Sequence, residues 1–283
     1  MAAGGAALGV IPVGARAERL LSLPGWQVRI AAPEPVAAPL AATLSAIAVA
    51  EPLPPFEVSV SEDGRQAAGT AEGRLLWSVA LPRSGWLPLL VGQVGATATA
   101  LLRRLLFIHA GAVAVEGRAW VIIGESGTGK TSTVALLTRH GAAYLTDEIT
   151  LLDPAAGTAL PFPLPMAVKP WTAEAVGPLP EGSEVANEGS VRFYLPADRG
   201  AGPTSVRAFV LLRPGGRPEL KPLSRAEVLM ALGQHHSSLR YPHRLEDAFA
   251  GFSRLLRGAR CYSLTAPSPA AAAELLTAAA RAS

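Results

Sequence analysis

The sequence predicts an α/β fold, a mixed sheet with flanking helices, and three observations predict it. Two apolar, β-prone runs, "LLFIHAGAVAV" and "RAWVIIG", are joined only by Glu116-Gly117, the pattern of a tight antiparallel hairpin in which glycine supplies a positive φ. The second run leads into a helix-like segment, "KTSTVALLTRHG", and then a short strand, "AAYLTDE". Strand, helix and strand with short connections imply a parallel pair joined by a right-handed crossover. Upstream, "FEVSVSEDGRQAAGTAEGRLLWSVAL" alternates strand-like runs with Asp63-Gly64 and Glu72-Gly73 turns. This adds a β-rich accessory region over residues 1–104 to a main domain over residues 105–283.

Along the chain, the opening stretch "MAAGGAALGVIPVGARAERLL" lacks a basic segment ahead of its apolar part, so it makes a poor signal peptide. "AAPLAATLSAIAVA" and "LPLLVGQVGATATALL" are short for a membrane span and are interrupted. The expectation is a soluble cytoplasmic protein with no membrane partner. "LPLLVGQVGATATALLRRLL" reads as an apolar helix feeding the first strand of the main domain. The helix from Lys130 ends with Arg139 and His140 in its last turn and Gly141 as its stop. Beyond the short strand, "PFPLPMAVKPW" is extended, and "TAEAVGPLPEGSEVANEGS" is a long loop of the kind that forms lids or substrate-facing flaps. "SVRAFVLLRP" and "ARCYSLTA" are strands. "SRAEVLMALGQ", "LEDAFAGFSRLL" and "SPAAAAELLTAAARA" are helices.

Composition excludes several classes of function. With 283 residues, 49% hydrophobic and 17% charged, the chain suits a globular protein with a substantial core. The net charge of +3 comes from scattered arginines, the densest pair being Arg103-Arg104 with no aromatic interleaving, so no nucleic-acid partner is expected. Cys261 is the only cysteine, which excludes an intrachain disulfide and a cysteine metal cluster. His235-His236 invite a metal reading, but adjacent histidines diverge on a helix and no further ligand sits at a suitable spacing. A homo-oligomer is left open.

One stretch carries chemistry. Gly124-Glu125-Ser126-Gly127-Thr128-Gly129-Lys130-Thr131 fits G-x-x-x-x-G-K-[ST], the phosphate-binding P-loop, and Lys130 is one of only three lysines. Glycines let successive N–H groups turn inward toward phosphate oxygens, which a Cβ would obstruct. The helix beginning near Lys130 adds the positive end of its dipole. Lys130 is placed to neutralise the β- and γ-phosphates and the Thr131 hydroxyl to bind Mg²⁺. The expected nucleotide ligands are Gly124, Ser126, Gly127, Thr128, Gly129, Lys130, Thr131 and Ser132, with ATP and Mg²⁺ as the implied small molecules.

Asp147-Glu148 should emerge at the same carboxyl edge of the sheet as this loop. A carboxylate there can hold Mg²⁺ or accept a proton from an attacking hydroxyl, or the pair can be a solvated acidic turn. If Glu116-Gly117 is a two-residue turn, Val115 faces Arg118 and His109 lies opposite Gly124, at the mouth of the loop. There a histidine can orient an Asp carboxylate, contact the transferring phosphate, or simply be a satisfied core residue. Lys169 after the Pro-rich strand and Arg192 after the long loop are further candidates to clamp a phosphate, or ordinary surface charges.

Taken together, "FIHAGAVAVEGRAWVIIGESGTGKTSTVALLTRHGAAYLTDE" resembles the catalytic domain of the HPr kinase/phosphorylase family, most clearly from Leu105 to Asp153. The resemblance implies a P-loop kinase core of the HPr kinase type and a serine kinase. Relatives of that family include kinases of ribosomally made peptides such as lasso-peptide precursors. It also implies that Asp147 takes the proton of the acceptor hydroxyl, that His109 orients Asp147, and that Glu148 or Thr131 holds Mg²⁺. Two departures stand out. Glu148 occupies a position where that family carries Asp, and no Glu-Arg-Gly-Leu-Gly-type signature follows. The implied partner is a protein or peptide with a Ser/Thr hydroxyl, closer to the peptide-modifying kinases than to an enzyme of HPr itself. A small-molecule kinase and a non-catalytic nucleotide-binding or NTPase module are the alternatives.

Overall fold

The structure is a computed structural model and describes residues 15–45, 47, 49, 52–102, 104–180, 184–188, 190–235 and 245–282. It begins with β1 (Arg16–Leu23), β2 (Trp26–Pro33), α1 (Glu34–Leu44), β3 (Phe56–Val60), β4 (Gln66–Ala71) and β5 (Arg74–Ala80). The strands lie in the order β1-β2-β3-β4-β5. Only β2 and β3 are parallel, and α1 supplies the crossover that a parallel pair needs. Alternation builds the sheet's inner face. Trp26, Val28, Ile30, Phe56, Val58 and Val60 are buried, while Gln27 and Arg29 are exposed. The β4–β5 turn holds Glu72 and Gly73 at φ 50° and 73°, as its sequence suggests.

Next comes α2 (Trp86–Leu101), an apolar helix whose buried side chains share one core with this sheet and with Phe107, Leu151, Phe162 and Leu164. The Trp77 indole donates to the Thr97 hydroxyl at 2.9 Å, tying β5 to α2. The accessory sheet and the following segment are therefore packed on a common helix.

The second sheet uses β6 (Leu106–Ile108), β7 (Gly111–Val115), β8 (Arg118–Ile123), β9 (Ala143–Thr146), β10 (Thr150–Asp153), β11 (Thr158–Leu160), β15 (Thr204–Pro214), β16 (Glu219–Pro222) and β17 (Arg260–Ala266). Its order is β6-β10-β11-β15-β8-β7-β9, with β17 beside β15 and β16. Parallel pairing of β8 and β17 with β15, among antiparallel neighbours, makes it a mixed sheet. Helices cover both faces. α5 (Arg225–His235) and α6 (Leu245–Gly258) pack on one through Val228, Leu232, Phe252 and Leu256. α3 (Lys130–Arg139) and α7 (Pro269–Arg281) cover the other through Val134, Leu137 and Leu276. No helix among the described residues is long and apolar enough to cross a membrane.

The β7–β8 hairpin has the expected register, Val115 opposite Arg118 and Gly111 opposite Ile122. Glu116 and Gly117 both have positive φ, 49° and 72°, which gives the turn the twist that closes a two-residue loop. The strand–helix–strand expectation needs correction. β8 and β9 do run in the same sense, but both pair antiparallel with β7, which lies between them. The hairpin partner occupies the edge of β8 that a simple crossover would have used.

A second correction concerns the long loop expected after Trp171. It contains a helix, α4 (Pro170–Val176), with Pro170 in its first turn and Gly177 at its end. It also contains a strand, β13 (Glu184–Glu188), pairing with β14 (Val191–Tyr194) in a small sheet completed by β12 (Met166–Val168). The β12-β14-β13 pairing supplies backbone partners that "EVANE" does not advertise by apolar alternation.

Gly111 marks a close approach of β7 to α3, since a Cβ there would lie 2.6 Å from Val134 Cγ2. Gly111→Ala should lower stability by about 1–3 kcal/mol, read as a lower urea midpoint with an unchanged slope.

Candidate active site

The site is built where β8 ends. Its last residue, Ile123, is buried, and the chain then turns through Gly124–Gly129 into α3. Gly124 lacks room for a side chain, because a Cβ would stand 2.9 Å from both the Leu212 carbonyl oxygen and the Thr128 hydroxyl. Gly127 and Gly129 hold φ of 81° and 91°, a region costly for other residues. No side chain caps α3, so its first-turn N–H groups keep their donor capacity beside the loop. An anion is the natural complement of such a helix start.

Lys130 is 7% exposed, and its ammonium folds back over the loop, donating to the Gly124 carbonyl at 2.7 Å and to the Glu125 carbonyl at 3.1 Å. These bonds fix the loop as a ring around the lysine. Burial lowers the Lys130 pKa, opposed by the charges of Asp147, Glu148 and Glu125. Ser126 and Gly127 lie exposed on the rim, Thr128 and Thr131 are half-buried, and Ser132 is buried. The Thr128 hydroxyl donates to the Glu125 carbonyl at 2.8 Å and braces the turn.

β9 runs in the same sense as β8, so Asp147, the residue after it, reaches the same edge of the sheet. Its side chain is buried, 3% exposed, and neither carboxylate oxygen has a hydrogen-bond partner among the described residues. The Thr131 hydroxyl falls short of hydrogen-bond geometry yet stands near enough to help hold the acid form down. Burial first, then repulsion from Glu148, raises the Asp147 pKa to about 7 against the opposing pull of Thr131, Lys130 and His109. A buried carboxylate with idle oxygens beside a lysine and a hydroxyl is chemically equipped to accept a proton or to meet a cation.

Glu148 is half-exposed and pairs with His109, Oε2 to Nδ1, at 3.1 Å. Burial alone would raise its pKa, but the His109 hydrogen bond, together with the charges of His109, Lys130 and Lys169, holds it below the usual range. The same contact raises the His109 pKa. The hairpin register does not extend to His109, because the chain leaves β7 at Gly111 and joins β10 through β6, with Ile108 opposite Thr150. The Thr150 hydroxyl donates to the Ala110 carbonyl at 2.8 Å, and the His109 N–H donates to the His235 carbonyl at 3.1 Å. His109, expected to orient Asp147, thus meets Glu148 instead.

Lys169 precedes α4 and is exposed, its ammonium 5.3 Å from the centroid of the Trp171 ring. Its charge adds weakly to those that lower the Glu148 pKa. Arg192 lies on β14, opposite Val168 of β12 and Asn187 of β13. His236 lies outside the described residues, but His235, set aside as a metal ligand on sequence grounds, enters the site. Its side chain is 10% exposed, with Nε2 3.8 Å from Glu125 Oε1. Nothing local in the sequence signals this, because α5 is brought to the loop only by the packing of α5 and α6 on the sheet. Among the described residues no cluster of three or more histidine, cysteine and carboxylate ligands is assembled.

No family model matches the chain, and no curated protein matches it. Among solved structures it is similar to the Hpr(Ser) kinase/phosphatase from Coxiella burnetii, at 10% identity over 62% of this chain and 94% of that one, with a TM-score of 0.32. Likeness at that level identifies no family.

The raised pKa of Asp147 has a consequence for stability. The unfolded carboxyl ionises near pH 4 and the folded one only near 7. The unfolded state therefore binds fewer protons across that window, and stability falls as pH rises through it. The penalty is absent below pH 4 and full above pH 7, on the order of a few kcal/mol. In chelator, Asp147→Asn should raise the thermal midpoint over wild type by several degrees at pH 8 and by much less at pH 5, measured by calorimetry.

Proposed function

We propose that this protein is an ATP-dependent phosphotransferase that moves the γ-phosphoryl group to a serine or threonine hydroxyl of a protein or peptide. The observation that carries the reading is Asp147, a buried carboxylate with a pKa raised to about 7 and no hydrogen-bond partner among the described residues, at the same sheet edge as the Lys130 loop. A group with that affinity for a proton, beside a phosphate-complementary loop, suits removal of a hydroxyl proton during transfer.

In this reading the loop amides from Gly124 to Thr131, with the start of α3 through Ser132, surround the β- and γ-phosphates, and Lys130 turns its ammonium from the loop carbonyls toward them. The acceptor oxygen bonds to the γ-phosphorus as that phosphorus parts from the β,γ-bridging oxygen. The bridging oxygen keeps the electron pair and departs with ADP, and the hydroxyl proton passes to Asp147. His109 acts through Glu148, holding it by the 3.1 Å pair, and its charge keeps Asp147 from binding a proton too tightly. The orphaned Asp147 oxygens, the Thr131 hydroxyl and Glu148 form an oxygen-rich donor set that suits Mg²⁺, which Thr131 and Glu148 would hold. When bound it offsets charge on the β- and γ-phosphates. Lys169, whose charge reaches Glu148, would add a further positive charge beside the phosphates.

The experiment is transfer from γ-labelled ATP, with the label followed into polypeptide, free metabolite or inorganic phosphate. The proposal predicts label in polypeptide at Ser or Thr. Label in a small hydroxyl compound would instead make this a metabolite kinase, and acceptor-independent phosphate release alone would make it an NTPase. Lys130→Ala should abolish transfer and weaken nucleotide binding. Asp147→Asn should retain nucleotide binding and lose transfer by about 10²–10⁴-fold.

A further inference from the structure

The cluster contains an imidazole that the proposed chemistry does not yet use. His235 ends α5, and its carbonyl already holds the backbone of His109, whose ring pairs with Glu148. Its side chain is 10% exposed and approaches the glycine-rich loop at Glu125. Among the described residues that ring makes no hydrogen bond. Glu125 Oε1 is 3.8 Å from Nε2, too far for one. A largely buried imidazole that makes no hydrogen bond among the described residues, beside a loop built for an anion, has a donor to offer a ligand. The backbone bond to His109 and the approach to Glu125 set the ring beside the cluster, where the charges of Lys130 and His109 act on it. Burial, followed by the charges of Lys130 and His109, favours the neutral form, while the Glu125 carboxylate facing Nε2 favours the tautomer with the proton there.

We propose that His235 is a catalytic residue of this site, its Nε2–H donating a hydrogen bond to an oxygen of the phosphoryl group in transfer. The assignment rests on the phosphotransferase reading above. As the acceptor oxygen bonds to phosphorus and the bridging oxygen leaves with its electron pair, charge redistributes over the equatorial oxygens. A neutral donor from the end of α5 would meet that charge, in addition to the loop amides and Lys130. Such a donor stabilises the transition state more than bound ATP, so its loss should appear in turnover and not in ground-state affinity.

The test uses the full chain and three variants, His235→Phe, His235→Gln and His235→Ala. Phe keeps the ring volume without a donor, and Gln returns an N–H near the position of Nε2. Phosphate release from MgATP is measured with and without a pool of serine- and threonine-containing peptides. Binding of MgATP, and of MgADP with aluminium fluoride as a mimic of the group in flight, is measured by calorimetry. Thermal midpoints report whether each variant is folded. Phe and Ala should lower turnover by about 10²-fold and weaken the fluoride complex by a similar factor, with MgATP affinity within about threefold of wild type. Gln should recover most of both losses.

A Phe variant with wild-type turnover and fluoride affinity overturns the assignment while leaving the phosphotransferase reading intact. So does a Gln variant as impaired as Phe, or a loss of MgATP affinity equal to the loss for the fluoride complex, which would make the ring a support for the loop. A wild-type chain that binds MgATP but releases and transfers no phosphate overturns the parent reading and this assignment together.

Discussion

Removing a carboxylate from water costs several kcal/mol unless something else takes the place of its hydration. Asp147 is buried, and neither oxygen has a partner among the described residues, so in the isolated chain this cost is met partly by holding a proton and partly by Thr131 and the attraction of Lys130 and His109. Lys130 is in the complementary position, an ammonium buried against two carbonyl oxygens with acidic groups as its opposing charges. Each charge makes the other tolerable. The remainder of the site can be understood as scaffolding that keeps this pair close while leaving each with bonding capacity for a ligand.

That scaffolding is drawn from four separate stretches of chain. The β7–β8 hairpin delivers the glycine-rich loop from one side, and β9, on the far edge of β7, delivers Asp147 and Glu148 from the other. Gly111 gives α3 and Asp147 room beside β7, with Asp147 Oδ1 only 3.7 Å from where its Cβ would be. The crossing from β7 into the β6–β10 ladder sets His109 against Glu148, and α5 closes the group with His235. Because β8 and β9 share a direction, their carboxyl ends open on the same edge, where ligands meet sheets of this kind.

What could be read from sequence alone follows the range of the forces involved. The glycine-rich loop is a local object whose residue types are dictated by positive φ at Gly127 and Gly129 and by the crowding at Gly124, so it is legible as a motif. The hairpin register is legible too, because Glu116-Gly117 admits one tight turn. The insertion of β7 between β8 and β9 is not legible, since apolar runs do not state which edge of a neighbour they take. Continuing the hairpin register to His109 fails for the same reason, as the strand abandons β8 for β10 one residue beyond. β13 passes for a loop because "EVANE" offers no apolar alternation and depends on β14 for its partners. His235 is invisible in sequence because only the packing of α5 and α6 on the sheet brings it to Glu125.

The central claim is that the Lys130 loop and Asp147 form one receptor for a nucleoside triphosphate. Calorimetric titration of MgATP into the folded full chain tests it most directly. The account predicts saturable one-site binding that is lost when the triphosphate is replaced by adenosine alone. A well-folded chain that takes up MgATP with no saturable heat, or that binds adenosine as tightly, would contradict it.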